Sequence, residues 1–458
     1  MPRMAVGAKV GLCALVLLCG SLTGLRDTAH AEPPLVPSDR PELRLSLHEA
    51  IEAALNNNPN VRLVKERILA AQGIADTSRG ALLPNLSGFA NARNQTVNLA
   101  AFGIPQDKLA QLGVPGGVTN PFDVYDLRAT LVQNIFSLSL LQRWKAARAG
   151  VEVATLDAEL TKRDTVATVA LLYVEALRAE AAVKASEANI ELNQQLLKLA
   201  QDRKAVGIAT GIDVTREQVQ LENERQRFLV AESDRDRATL NVLRALGIGF
   251  QVRLVLTDEL KPIDIAPQQT EEAVMVARDN RIELKLQEKR ERLASLTLSS
   301  VISERLPSLA FNGDYGLIGL KPQDAVPTRT VGVTLSVSLF DGGRREARIS
   351  ENRSLLRQEA IRMQDISDQV TLEVHDALLT LASTRRQIAV SQEGLRLALK
   401  ELELARDRFG AGIANNIEVT NAQASLARGR DNVIEALFRF HAARINLARA
   451  QGRLEMLY

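Results

Sequence analysis

The chain contains an internal duplication, and this feature limits its possible folds more than any other. The segment that begins at Asp202 and passes through a Gly-Ile-Ala turn has a second copy, with the same spacing, that begins at Asp407. Chance similarity between two helices rich in Ala and Leu would not keep a glycine turn in register. We therefore predict two structural repeats, residues 32–258 and 259–458.

The beginning of the sequence is predicted to be an export signal and not part of the fold. Arg3 and Lys9 provide a positive start, residues 10–18 form a short apolar run, and Ala29-His30-Ala31 is a small-x-small cleavage site. The apolar run is too short to span a bilayer comfortably as a helix. We expect this signal peptide, residues 1–31, to be removed.

Removal of the signal would also remove both cysteines. The chain has Cys13 and Cys19, so the mature protein would contain no disulfide and no thiolate metal site. Lipidation of Cys19 is the less favoured alternative, because Leu18 is bulky where lipid attachment needs a small neighbour. The mature fold is therefore expected to depend on packing area.

Charge and composition narrow the class of protein. Lys and Arg number 57 against 55 Asp and Glu, a formal charge of +2, so a partner bound through bulk electrostatics, such as nucleic acid, is not expected. Hydrophobic residues make up 46% of the chain and aromatic residues only 3%. This mixture favours long helices that pack through small and aliphatic side chains.

Both repeats predict the same order of elements: a helix, two strands and a long helical hairpin. In the first repeat, a capping box at Ser46 starts a helix that runs toward Gly80. A proline-free stretch from residue 138 predicts a helix roughly 100 Å long at about 1.5 Å per residue, which must pack as coiled coil. The predicted strands lie near 82–96, 124–136, 306–318 and 329–340, and the hairpins at 138–247 and 344–453.

The predicted strands carry a membrane signal. Between residues 331 and 339, every odd position is large and apolar and no even position is, which gives one apolar and one polar face. A soluble, half-buried sheet would show the same alternation. Strands of about ten residues match a membrane crossing, yet four strands cannot close a barrel, which needs about eight. Because an open edge is not viable in lipid, several chains would have to pool their strands: two would give eight and three would give twelve.

Five short motifs follow one another along the chain: Ser46-Leu47-His48-Glu49-Ala50-Ile51, Asn57-Asn58-Pro59, Leu82-Leu83-Pro84, Leu339-Phe340-Asp341-Gly342-Gly343 and the duplicated glycine turn. In the order and spacing of these motifs, the chain resembles the TolC-like outer-membrane efflux family over essentially the whole mature sequence. No single motif is specific, but their order, spacing and duplication together are.

The resemblance implies a mainly α-helical fold with a transmembrane β-barrel. It implies a homotrimer whose chains pool four strands each into a twelve-stranded barrel in the outer membrane of a Gram-negative type envelope. A long coiled-coil tunnel would extend into the periplasm. The chain would be the exit duct of a tripartite efflux or secretion system, with a periplasmic adaptor protein as direct partner and an inner-membrane pump as indirect partner. The alternative from another class is a structural periplasmic coiled-coil scaffold without a pore.

The resemblance also implies two functional sites at the end of the tunnel. The glycine turns would form an adaptor-docking tip, made of Val206, Gly207, Ile208, Gly412 and Ile413. A tunnel constriction would be lined by Asp213, Glu418 and Asn421. Capping of a helix N-terminus is the alternative role for the two acids.

Some relatives close the tunnel with an aromatic–arginine lock. Its positions correspond to Phe409 and Ala414 here, so we expect the lock to be absent.

No catalytic or metal-binding group is expected. His48, His375 and His441 are far apart in sequence, and we expect none to have the partner one helical turn away that is typical of a helical metal site. Carboxylates are interspersed with Arg and Lys along the helices, which is typical of solvated ion pairs. We therefore predict no enzyme, no metal and no cofactor.

Overall fold

The fold is mainly helical, in a computed structural model that describes residues 41–264, 266 and 268–457. The predicted signal peptide lies outside the described residues. The helices are α1 (Leu47–Asn57), α2 (Pro59–Gly80), α3 (Gln106–Gln111), α4 (Leu138–Ala205), α5 (Gly211–Leu246), α6 (Thr270–Asn280), α7 (Ile282–Ile302), α8 (Arg344–Gly410) and α9 (Asn416–Ala450). The strands are β1 (Glu42–Leu45), β2 (Asn85–Gln95), β3 (Phe122–Phe136), β4 (Arg253–Leu256), β5 (Ser308–Gly319) and β6 (Val326–Ser336).

Two long helical hairpins dominate the chain. Helices α4 and α8 have 68 and 67 residues, and each is followed by a shorter returning helix, α5 with 36 residues and α9 with 35. At about 1.5 Å per residue, the two long helices are each roughly 100 Å long, as predicted. Among the described residues, no helix combines the length and apolarity needed to cross a bilayer.

The helix predicted from Ser46 to Gly80 is wrong in one respect, because the structure divides it into α1 and α2. The break is at Asn58, whose backbone is extended in ψ and whose side chain accepts a hydrogen bond from the Asn60 N–H. The residue before a proline avoids the helical region, and Pro59 is well placed as the first residue of a new helix.

Four strands form one antiparallel sheet in the order β2-β3-β5-β6, so that the strand pairs of the two predicted repeats meet at β3 and β5. Strand β6 ends at Ser336, earlier than the predicted 340. Ser336 pairs with Ser308, the first residue of β5, and β5 cannot extend further back because Pro307 precedes it. Within the described chain, residues beyond 336 therefore have no strand beside them.

A second sheet, the parallel pair β1 and β4, was not predicted. Its strands have four residues each, too few to show a period. Asp258 fixes this sheet to the helices, since its carboxylate accepts hydrogen bonds from the Leu47 N–H and the Tyr173 hydroxyl, both at 2.7 Å. Burial and this carboxylate raise the pKa of Tyr173 well above its ordinary value.

Each hairpin returns to a short helix at a closely packed glycine. A Cβ at Gly247 would lie 2.5 Å from the carbonyl oxygen of Asn57, and a Cβ at Gly452 would lie 2.9 Å from that of Asn280. No side chain fits at such distances, so both positions require glycine. Two joints of matching construction are what a duplicated chain would contain.

Candidate functional site

The turns between α4 and α5 and between α8 and α9 have the same geometry. Gly207 and Gly412 adopt left-handed conformations, with φ of +77° and +74°. In each turn the next residue returns its N–H to the long helix: Ile208 donates to the Arg203 carbonyl at 2.9 Å, and Ile413 donates to the Arg408 carbonyl at 3.1 Å. Glycine adopts this conformation without strain, which explains its recurrence in both repeats.

The two turns lie close together at one end of the helices, a region here called the tip (residues 202–221 and 407–426). The side-chain amide of Asn416 donates to the Asp213 carbonyl oxygen at 3.3 Å, which links the start of α9 to the start of α5. The structure thus brings the turn residues of both predicted repeats into one place.

The tip exposes apolar side chains. Val206, Ile208 and Ile413 are 69%, 64% and 72% exposed. Ile212 and Ile417 are exposed as well, at the same position of each repeat. The sequence reasoning missed these last two, although the repeat alignment itself could have indicated them. Exposed apolar groups around a turn are suited to contact with another protein surface.

The two acids predicted at the constriction are both engaged in local interactions. The Asp213 carboxylate accepts hydrogen bonds from the Thr210 hydroxyl and N–H, at 2.6 and 2.9 Å. These two bonds, the hydroxyl first, lower the pKa of Asp213. Glu418 lies 3.2 Å from the guanidinium of Arg408. Helix capping is thus a role that Asp213 fulfils, as the alternative reading anticipated.

Asn421, the third predicted constriction residue, is exposed. It lies on the wall of a groove between α5 and α9, together with Ile212, Thr215, Arg216, Val219, Gln220, Ile417 and Thr420. The groove is apolar at its isoleucines and valine and polar at its amides and hydroxyls.

Phe409 has an arginine partner, although none was expected. Ala414 offers no guanidinium, but Arg203 of α4 places its guanidinium carbon 4.2 Å from the centre of the Phe409 ring. Arg203 is 9% exposed, and its Nε and Nη1 have no hydrogen-bond partner among the described residues. The ring face therefore provides the main favourable contact to this buried cation. The contact joins residues far apart in sequence, and no local pattern could have indicated it.

A buried row of polar side chains, here called the polar seam, joins α4, α5 and α9. Gln423 of α9 donates to Glu217 of α5 at 3.2 Å and to Asn193 of α4 at 3.1 Å. One heptad further along α5 and α9 is the next contact of the seam. There Asn189 of α4 accepts from Arg430 of α9 and donates, at 3.5 Å, to Glu224 of α5.

The polar seam corrects one expectation from the sequence. The carboxylates were expected to be solvated, but Glu217 and Glu224 are each only 1% exposed. Their burial depends on a helix that comes some two hundred residues later, which local charge patterning does not include.

The four-stranded sheet separates apolar from polar side chains. On one face Val331, Val333 and Leu335 are 70%, 61% and 66% exposed. On the other face Arg128 of β3 forms an ion pair with Asp314 of β5 and a 3.3 Å contact with Asp126. Cross-strand pairs of this kind fix the register of a sheet, here between the strands of the two predicted repeats.

The expectation that no histidine has a helical partner was wrong for His48. Its Nε2 lies 3.5 Å from the Glu52 carboxylate, one turn further along α1. Both side chains are more than half exposed, so the pair is a surface contact of the usual weak kind. In the described part of the chain, no three His, Cys, Asp or Glu side chains cluster as metal ligands would.

The chain is similar in sequence to known proteins. The family model described as "Outer membrane efflux protein" matches residues 50–248 and 274–453. Protein CyaE of Bordetella pertussis is 25% identical over 437 residues, covering 92% of this chain and 86% of the relative. The pyoverdine export outer membrane protein OpmQ of Pseudomonas aeruginosa is 20% identical, covering 97% and 95%.

Solved structures share the fold. The outer membrane protein VceC of Vibrio cholerae aligns with a TM-score of 0.75 at 17% identity, covering 89% of this chain and 96% of that one. The CmeC outer membrane channel of Campylobacter jejuni aligns with a TM-score of 0.77 at 14% identity, covering 89% and 85%.

Proposed function

The chain belongs to the outer membrane efflux protein family, and on that premise we propose that it is the outer-membrane exit duct of a tripartite efflux or secretion system. It is a passive conduit and not an enzyme, and its partners are a periplasmic adaptor and, indirectly, an inner-membrane pump. Family membership and similarity over nearly the whole length to a pyoverdine export outer membrane protein support this role.

The observation that carries the proposal is the four-stranded sheet. Its edge strands, β2 and β6, each pair on one side only within the described chain, and one face exposes a row of apolar side chains. In lipid, unpaired backbone groups at an edge are too costly to persist. We propose that three chains pool their strands into a twelve-stranded barrel, and that the long hairpins continue it as a periplasmic tunnel.

The apolar row on β6 provides the test of membrane insertion. Val333→Arg places a charge on the lipid side, which costs about 2–4 kcal/mol near the bilayer centre, so we expect loss of the trimer from outer-membrane fractions. Thr334→Arg is the matched control, because its side chain belongs to the opposite face of the same strand. Equal recovery of both variants in the membrane would contradict the barrel and favour a periplasmic scaffold.

We propose that the tip has two roles. The adaptor-docking surface consists of Val206, Gly207, Ile208, Gly412 and Ile413, because exposed apolar groups here flank two exposed turn glycines. Asp213, Glu418 and Asn421 line the constriction of the tunnel. The two acids keep their local hydrogen bond and ion pair while presenting negative charge there.

Docking is tested by Ile208→Asp. We expect export to stop while the trimer remains intact, since the side chain is exposed and contributes little to packing. Gln201→Asp, on the exposed end of α4, is the control and should export normally. Full export by the Ile208 variant would remove the docking role.

A further inference from the structure

Glu217 is the buried acid of the polar seam that has no ion-pair partner among the described residues. Its Oε2 accepts from Gln423 at 3.2 Å, and its Oε1 has no donor in hydrogen-bonding geometry among the described residues. Glu224, equally buried, differs because Arg227 lies 3.0 Å from it. Leaving a buried carboxylate without a cation is costly, so the ionised form of Glu217 weakens the seam.

The groups that surround Glu217 do not neutralise it. On its own helix, Asp213 adds negative charge. Helix α4 presents the amide of Asn193, while its cation Arg203 stacks on Phe409 and acts on Asp213. Helix α9 presents the amides of Gln423 and Asn416, and its acid Glu418 is paired with Arg408. Burial, with a smaller contribution from Asp213, raises the pKa of Glu217, and the two α9 amides only partly oppose this.

We propose that Glu217 is a proton-binding site that sets how firmly α5 is held against α4 and α9 at the tip. Uptake of a proton from water removes the buried charge and converts one carboxylate oxygen into a donor. The Gln423 Oε1 is a buried acceptor that has no donor within the described part of the chain. A protonated Glu217, which already contacts the same amide, can supply that donor.

The direction of the effect follows from linkage. A carboxyl group whose pKa is higher in the folded state stabilises that state most at low pH, and this stability is lost as pH rises through the folded pKa. Acidification therefore tightens the tip and a rise in pH loosens α5. A looser tip would admit more through the constriction, and this consequence for transport rests on the proposed exit duct. Proton binding by Glu217 does not depend on that proposal.

The test uses the full-length mature protein in detergent micelles. Hydrogen exchange of residues 211–221 is measured from about pH 5 to about pH 8, a range that brackets a raised carboxyl pKa, and is corrected for the intrinsic pH dependence of exchange. Infrared difference spectra over the same range detect the protonated carboxyl group. Glu217→Gln mimics the protonated form, and Glu222→Gln is the control, since Glu222 is an exposed residue of α5 paired with Arg225 at 2.7 Å.

We expect corrected exchange in the natural protein and in Glu222→Gln to rise several-fold across the range, because loss of the proton restores the buried charge. Glu217→Gln should exchange slowly throughout and lack one protonated-carboxyl band. A pH response in Glu217→Gln equal to that of the natural protein, or an unchanged infrared difference spectrum, would overturn the proposal.

Ion conductance in planar bilayers tests the duct separately. We expect current that increases with pH in the natural protein and is low at every pH in Glu217→Gln. A preparation that conducts with the same pH dependence in both proteins overturns the proton site and leaves the duct standing. A preparation with Glu217-dependent exchange but no current contradicts the duct and supports the proton site.

Discussion

The two returning helices, α5 and α9, begin with nearly identical turns but are held in different ways. Where α5 buries Glu217 and Glu224, the repeat alignment places Ala422 and Gly429 in α9, both buried. Around them is an apolar cluster of Leu196, Ala398, Leu402, Ala405, Phe409, Val419, Ala422 and Leu426. Apolar contacts do not change with pH, whereas the polar seam contains a titratable group.

The two hairpins therefore share the geometry of the turn but not the packing that supports the returning helix. Gly429 lets α9 approach α8 so closely that a Cβ there would lie 3.3 Å from the Leu395 Cα. The α8–α9 hairpin is therefore the firmly packed half of the tip, and α5 is the half that can respond to its surroundings. Each of the following substitutions tests this contrast, beginning with the largest expected effect.

Removing Phe409 should cause the largest loss. Phe409 is 6% exposed, and Phe409→Ala is expected to lower the free energy of unfolding by about 3–5 kcal/mol, the usual cost of deleting a buried phenyl ring. The variant also leaves Arg203 buried without its aromatic contact. Lys204→Ala, at the corresponding and exposed position of the first repeat, should change little. Denaturant unfolding followed by circular dichroism measures both, and equal losses would contradict the contrast.

Placing into α9 the glutamate that α5 has at the matching position should lower the free energy of unfolding by nearly as much. Gly429→Glu forces a side chain and a charge against Leu395, and we expect a loss of about 3 kcal/mol, the upper part of the range for overpacking. Arg428→Glu, on the neighbouring exposed position, is the control. Thermal unfolding midpoints should fall clearly for the first variant only; a tolerated Glu at 429 would show that α9 is not tightly packed.

Alanine at either turn glycine should have a moderate and similar effect. A residue with a Cβ in the left-handed conformation costs about 1–2 kcal/mol. Nothing lies within 4 Å of a Cβ at Gly207, and the nearest atom at Gly412 is 3.8 Å away, so strain and not collision determines the loss. Gly207→Ala and Gly412→Ala should therefore lose similar free energies of unfolding. A much larger loss at one turn would contradict the equivalence of the two turns.

The helix caps should give the smallest effect but the clearest pH contrast. Asp213→Ala and Asn415→Ala should each cost about 1 kcal/mol at neutral pH, as loss of a cap does. The pKa of Asp213 is lowered below 3.8 in the fold, so its contribution is present above that value and is lost as pH falls through the lower folded pKa. The cost of Asn415→Ala should not depend on pH. Unfolding midpoints at neutral and acidic pH compare the two, and a parallel response would contradict the assigned cap.

Local signals in the sequence were sufficient for the elements that local chemistry determines. The absence of proline predicted α4 and α8, glycine spacing predicted the turns at Gly207 and Gly412, and alternation predicted most of β6. The helix break at Asn58 was also encoded locally, by Pro59, but was overlooked.

Contacts between distant residues could not be predicted in the same way. Glu217 and Gln423 are separated by 206 positions, and nothing near Glu217 distinguishes it from the exposed Glu222. Arg203 reaches Phe409 across two hairpins, and β1 finds β4 with only four residues each. The sites where charge is buried could therefore be identified only from the folded structure.

The central claim is that one chain cannot complete its own sheet and shares strands with two copies of itself. Native mass spectrometry of the mature protein, released from outer membranes in detergent micelles, tests this most directly. We predict a mass of three chains that persists until the micelle and the fold are both lost. A single-chain mass, from protein recovered in water without detergent, would contradict the account.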